Sequence, residues 1–346
     1  MFLTFKIKVQ MKQTQFTKIN AMIRNTILLF FLFVISNFTA QSKQQFANLG
    51  DFITVGGKII KNCKVGYRTT GTLNAEKTNA VLCPTRFTGK SENSAVNRVL
   101  DTTGLFVIMV DALTNGVSSS PSNTPNFPLV TITDMVHSQH QMLTKHLGID
   151  HLYAVIGVSM GGMQAFEWLV SYPNFMDKVV PIVGTPKQTS YDLMAWHTAA
   201  DIIIAADAQK GDLKEALRLA HNIERMHLAS PNYIVEKFSA DSIANVLKKE
   251  ISMDPYDYLG GVQAMISQDI YKSSKQNIDT ISAIIKADLL VIVAAQDHVV
   301  HPSSASQLAK KLAAPLVTLM GDCGHVAFAC ESEKVKTAVT KFLKRN

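Results

Sequence analysis

The chain has no apolar run long enough to span a bilayer at its N-terminus. The run there, Ile27 to Ile35, holds nine residues, about 13 Å of helix at about 1.5 Å per residue, against a hydrocarbon core of about 30 Å. That makes a stable membrane anchor the weaker reading beside the layout of a secretory signal peptide: Arg24 before the run, small and polar residues after it, and Ala40 at the cut. Residues 1–40 are therefore expected to be a signal peptide with its start at Met22, delivering a secreted or periplasmic protein. Acidic residues are also missing from this segment, which carries Lys6, Lys8, Lys12, Lys18 and Arg24. Without it the formal charge of +7 shrinks to 29 basic against 27 acidic residues, so composition gives no support for a nucleic-acid partner. Cysteine is scarce: the four, Cys63, Cys83, Cys323 and Cys330, show no metal-like spacing, and no metal or cofactor is expected. Cys83 reads as core filling, whereas Cys323 and Cys330 flank His325 and are compatible either with a disulfide or with two buried thiols. Repeats and low-complexity tracts are absent, which excludes solenoids and arrays. What remains is 346 residues of ordinary globular composition, 47% hydrophobic and 18% charged.

Apolar runs recur between helical stretches: "AVLCPT" from Ala80, "LFVIMVDA" from Leu105, "LYAVIGVS" from Leu152, "KVVPIVGT" from Lys178, "LLVIVAAQD" from Leu289 and "PLVTLMGD" from Pro315. Near-continuous apolar strands have both faces covered, which predicts a mostly parallel sheet with helices on each side. Before them, "FITVGGKIIKNCKVGYRTTGTLN" alternates and turns at Gly56-Gly57, an antiparallel hairpin at the sheet edge. The stripe in "ITDMVHSQHQMLTKHLGI" predicts a helix over 132–149. Residues 185–281 read as helices with no strand among them, a helical lid. The expected organisation is thus an α/β core over 41–184 and 282–346 with a lid insertion over 185–281.

Gly157-Val158-Ser159-Met160-Gly161 fits G-x-S-x-G after a buried strand and before a helix. That context marks a nucleophile elbow, whose strained turn needs near side-chain-free positions two before and two after the serine. A serine hydroxyl becomes a nucleophile only when a histidine takes its proton and an acid orients that histidine. In this topology the order is Ser, acid, His. Asp297 follows "LLVIVAAQ" and His325 follows "PLVTLMGDCG", both on loops after strands, at the edge that carries Ser159. Asp322, His298 and His301 are rivals with bland explanations as loop residues, and Asp111 precedes the nucleophile. The backbone N–H of Met160 and of Phe87, in "CPTRFTG", are the expected oxyanion donors.

With these residues in place, the sequence resembles the homoserine O-acetyltransferase family of α/β-hydrolases. "SMGGMQAFEW" from Ser159, "FPLVTITDMVHSQHQMLTKHLGI" from Phe127, "YRTTGTLNAEKTNAVL" from Tyr67 and "DPYDYLGGVQAM" from Asp254 carry the likeness. It implies the α/β-hydrolase fold, the triad Ser159, Asp297 and His325, an acyl-enzyme, a helical lid and a homodimer. Three substrate-facing positions depart from that family: Val326 stands where it has an aspartate after the catalytic histidine, His221 where it has a lid arginine, and Leu228 where it has a tyrosine. A zwitterionic acceptor would lose charge-assisted hydrogen bonds of roughly 1.5 to 3 kcal/mol each. Acetyl-CoA, moreover, is a cytosolic donor that an exported enzyme would not meet. The expectation is therefore hydrolysis of a small-molecule ester, with CoA-dependent O-acyl transfer as the alternative.

Overall fold

Residues 43–345 are described by the computed structural model; the expected signal peptide lies outside them. Nine strands form one sheet: β1 (Gln45–Ile53), β2 (Ile59–Thr70), β3 (Ala80–Pro84), β4 (Phe106–Val110), β5 (Leu152–Val158), β6 (Met176–Ile182), β7 (Asp288–Leu289), β8 (Val291–Ala294) and β9 (Leu316–Leu319). Their spatial order is β1-β2-β4-β3-β5-β6-β8-β9, with β7 also pairing β6. The β1–β2 hairpin is antiparallel and joins β4 antiparallel, and every other pairing is parallel. In β5, Val155 packs into one apolar cluster with Phe166 and Leu308, while Ala154 and Ile156 pack into another with Val335 and Phe342. Alternate side chains therefore enter opposite buried layers, which is why the strand reads as unbroken apolar sequence.

The helices in chain order are α1 (Val96–Val99), α2 (Ile132–Gln141), α3 (Met160–Ser171), α4 (Ser190–Ala208), α5 (Leu213–Leu228), α6 (Pro231–Lys237), α7 (Ala240–Leu247), α8 (Pro255–Ile266), α9 (Ile270–Ser273), α10 (Ser303–Lys311), α11 (Ala327–Cys330) and α12 (Ser332–Leu343). Two differ from the sequence pattern. The helix expected over 132–149 is α-helical only through Gln141 and continues as a π-turn, Met142–His146. An α-helix turns about 100° per residue, yet Met142 and Leu143 are both fully buried; the wider turn brings both to the core. Within residues 185–281, read as helices, the stretch 233–251 is broken at Phe238-Ser239, because the Ser239 hydroxyl accepts from Ser242 N and starts a new helix.

Between β6 and β7 the chain runs through α4 to α9 without entering the sheet. These helices do not float above the core. Trp196 and Ile203 of α4, Leu217 of α5 and Tyr258, Val262 and Met265 of α8 form one buried cluster with Phe87, Leu113, Met135, Met160 and Met163. The carboxyl ends of β3 and β5 thus face a helical layer, and the space between is where the candidate residues meet.

Candidate active site

Ser159 is the single residue between β5 and α3, with φ 57° and ψ −121°. A β-carbon there is strained, and the strain is held by close backbone packing. A Cβ on Gly157 would sit 1.9 Å from the Gly161 carbonyl oxygen, and one on Gly161 would sit 2.4 Å from that of Pro84. Either side chain would force the turn open or push away the loop after β3. Met160, first residue of α3, has no partner within the helix for its N–H.

His325 occupies a single 3₁₀ turn after β9, and its Nε2 lies 2.8 Å from Ser159 Oγ. Its Nδ1 lies 2.8 Å from Asp297 Oδ2. The other carboxylate oxygen of Asp297 accepts the N–H of Val299 and of Val300, each at 2.9 Å. All three side chains are buried. With both oxygens engaged, the carboxylate is fixed toward the ring, and the ring toward the hydroxyl. Cys323 and Cys330 form a disulfide that brackets the His325 turn.

The rivals stand elsewhere. Asp322 is exposed. His301 is exposed, with Nδ1 2.9 Å from Ser303 Oγ. His298 faces Tyr191 at a ring separation of 6.3 Å. Asp111 is buried in a network of its own, accepting from Ser91 N and Oγ, Asn115 Nδ2 and Gln44 Nε2.

Phe87 lies in the loop after β3. Its ring packs against Trp196 at 5.7 Å and Tyr258 at 4.9 Å, so the helical layer anchors the loop. Gln164 ties that loop to the elbow: Nε2 donates to the carbonyls of Thr85 at 3.2 Å and Met160 at 3.0 Å. Its Oε1 accepts from Gln139 Nε2 at 2.6 Å, and Gln139 Oε1 accepts from the Trp168 indole at 2.9 Å. Every member of this chain is fixed by the next, which orients the backbone of both the elbow and the loop.

Ser159 and His325 open on a cavity of about 570 Å³, and Phe87, His221, Leu228 and Val326 line it too. The three positions at which the sequence departs from the acetyltransferase pattern therefore share one wall system with Ser159 and His325. His221 is not free there: its Nδ1 lies 2.9 Å from Glu224 Oε2, which also accepts from the Tyr258 hydroxyl at 3.4 Å. The buried phenol of Tyr258 is pushed to a raised pKa, first by loss of hydration and then by Glu224. Several site residues were not anticipated from sequence. Arg86 and Glu224 line the cavity, and Asp192 caps α4 while its Oδ1 accepts His301 N at 2.8 Å, bracing the Asp297 loop. The Asp192 capping box was readable in "TSYD"; its reach to residue 301 depends on tertiary packing. No cluster of His, Cys, Asp and Glu fit to hold a metal occurs among the described residues.

A serine on a strained strand-to-helix turn, served by a carboxylate-oriented histidine above a parallel sheet, is the arrangement of the α/β-hydrolases. The chain belongs to the alpha/beta hydrolase fold family, whose family model matches residues 81–331. Among its relatives is an ethyl acetate hydrolase of Pseudomonas veronii, 34% identical over an alignment of 190 positions that covers 51% of this chain and 54% of that protein. A homoserine O-acetyltransferase of Methanohalophilus mahii is 27% identical over an alignment of 345 positions, covering 84% of this chain and 70% of that protein. The crystal structure of an acetylester hydrolase from Corynebacterium glutamicum superposes with a TM-score of 0.76 at 25% identity, over 87% of this chain and 95% of that one. The matches to the P. veronii enzyme and to an esterase-type protein of C. glutamicum span about half the length of each. Membership in a family with both esterase and acetyltransferase relatives supports an enzyme of acyl transfer or hydrolysis.

Proposed function

We propose that the protein is a serine-dependent ester hydrolase. The observation that carries the reading is the continuous relay Asp297 Oδ2, His325, Ser159 Oγ, with both links at 2.8 Å. In the reaction His325 Nε2 takes the Ser159 proton as Oγ attacks the ester carbonyl. Asp297 holds the tautomer and stabilises the imidazolium that forms. The N–H groups of Met160 and Phe87 receive the developing oxyanion. His325 then protonates the leaving alcohol, and a water activated by the same ring releases the acid from the acyl-serine.

Val326, beside His325, and the His221–Glu224 pair favour water over an amino-acid acceptor, because no unengaged carboxylate follows the catalytic histidine to meet an ammonium group. The hydrolase relatives agree with this choice. Export is part of the proposal, supported by the N-terminal sequence pattern and by the Cys323–Cys330 disulfide, a bond that persists in oxidising compartments. A small-molecule ester is the proposed partner, and homodimerisation remains a proposal carried by the family resemblance alone.

The purified mature protein is expected to hydrolyse p-nitrophenyl acetate and to label with a fluorophosphonate. Ser159→Ala should abolish both, while His325→Ala should lower kcat by on the order of 10⁴-fold or more and His298→Ala should keep most of it. CoA release from acetyl-CoA that depends on homoserine, with negligible ester turnover, would establish transfer instead. Equal labelling of wild type and Ser159→Ala would remove the serine from the mechanism.

A further inference from the structure

Arg86 stands immediately before Phe87, in the loop that faces the elbow, and lines the cavity that opens on Ser159. Its guanidinium has no hydrogen-bond or ion-pair partner among the described residues, although the residue is partly buried. Its electrostatic neighbours are Glu224, which favours its charge, and Arg98, which opposes it, and burial pulls its pKa below the ordinary value. An arginine does not lose its proton in this setting, so a cation with five unused donors sits on the wall of the site.

Within the protein Glu224 is the obvious counter-charge, yet its Oε2 accepts from His221 Nδ1 and the Tyr258 hydroxyl, and no hydrogen bond or ion pair joins it to Arg86 among the described residues. Arg98 lines the same cavity and adds a second guanidinium at its exposed rim. Two permanent cations therefore face one carboxylate, which itself has a histidine at 2.9 Å. The wall is net positive, and the planar fork of an arginine matches a carboxylate in two parallel hydrogen bonds. Arg86 and Ser159 line the same cavity, so a group held by the Arg86 side chain shares that space with the reacting carbonyl.

Building on the hydrolase reading, we infer that the ester carries a carboxylate, bound by Arg86 in the cavity on which Ser159 opens. Arg86 is thus a specificity-determining residue, selecting anionic over neutral esters of equal size. The carboxylate belongs either to the acyl part or to the alcohol part of the substrate, and the two are separable by experiment. On the acyl side, p-nitrophenyl hydrogen glutarate is compared with the isosteric neutral p-nitrophenyl 5-methylhexanoate. On the alcohol side, para-acetoxybenzoate is compared with the isosteric neutral para-acetoxybenzamide.

In one of the two pairs the anionic ester is expected to show a kcat/KM higher by on the order of 10-fold, the scale of a charge-assisted contact. Arg86→Gln should bring that ratio close to one, whereas Arg86→Lys should keep part of it by retaining charge without the fork. Arg98→Gln should change it by less than about threefold, since exposed charges are screened by salt. A ratio at or below one in both pairs, or a preference that survives Arg86→Gln, overturns the assignment; the wild-type ratio and the lysine variant serve even if the glutamine variant misfolds. No turnover of any of the four esters, together with no labelling of Ser159, overturns the hydrolase reading beneath it and the assignment with it.

Discussion

Glu167 lies in α3 beyond the elbow, buried, and its two oxygens accept from Ser171 Oγ at 2.6 Å and Ser273 Oγ at 2.9 Å. Burial raises its pKa by more than these hydroxyls lower it. The folded state therefore holds the proton longer than the unfolded chain, whose glutamate titrates near pH 4.3. The carboxyl's contribution to stability is full below that pH and is lost as pH rises through the higher folded value, because ionisation then favours the unfolded state. Glu167→Gln keeps the shape without the ionisation. Its Tm relative to wild type should accordingly rise between pH 4 and pH 7, read by thermal melts at matched ionic strength. A difference independent of pH would mean that Glu167 is ionised equally in both states. Arg86 poses the opposite problem at this scale, a charge with no hydrogen-bonded or ion-paired partner among the described residues, and for that reason serves a ligand where Glu167 serves the structure.

At the scale of elements, the turn that carries His325 is too short to hold itself. It is a single 3₁₀ turn, Gly324–Val326, followed by the four-residue α11, and short helices have little stability alone. The Cys323–Cys330 bond closes the loop around it. Closing a loop of this size is worth on the order of 2 kcal/mol. Replacing both cysteines by serine should lower the unfolding free energy by about that amount, measured by urea titration. It should also lower kcat for p-nitrophenyl acetate, because the ring is then less firmly placed. Unchanged stability and kcat would show that packing alone holds the turn. Sequence pattern reveals such elements unevenly. The strands of the parallel sheet and the order Ser159, Asp297, His325 are legible because each depends on a local run and its loop. The π-turn at Met142–His146, the brace from Asp192 to His301 and the Gln139–Gln164 relay are not, since each depends on what a distant segment brings to it. The pairing of the cysteines lay between: their spacing allowed it, and only the fold of the His325 turn brings the sulfurs together.

At the scale of the molecule, the helices of residues 190–273 share their core with the sheet. Trp196, Leu217, Tyr258, Val262 and Met265 bury the same cluster as Phe87, Leu113, Met135, Met160 and Met163. Separating the two layers would expose aromatic and methionine side chains on both, at a cost of about 25 cal/mol per Å² of apolar surface. A chain of this size commonly unfolds in steps, so a shared core makes a distinguishing claim: layer and sheet should melt together. Scanning calorimetry of the mature protein should show one transition with calorimetric and van't Hoff enthalpies equal within error. The segment α6–α7 is the exception inside the layer, for neither helix contributes a fully buried residue. Limited proteolysis under native conditions should therefore cut first within residues 231–250 while the melting transition stays single. Two resolved transitions, or first cleavage within α4 or α8, would instead make the helical layer an independent cap whose position over Ser159 is set by its hinges rather than by a common core.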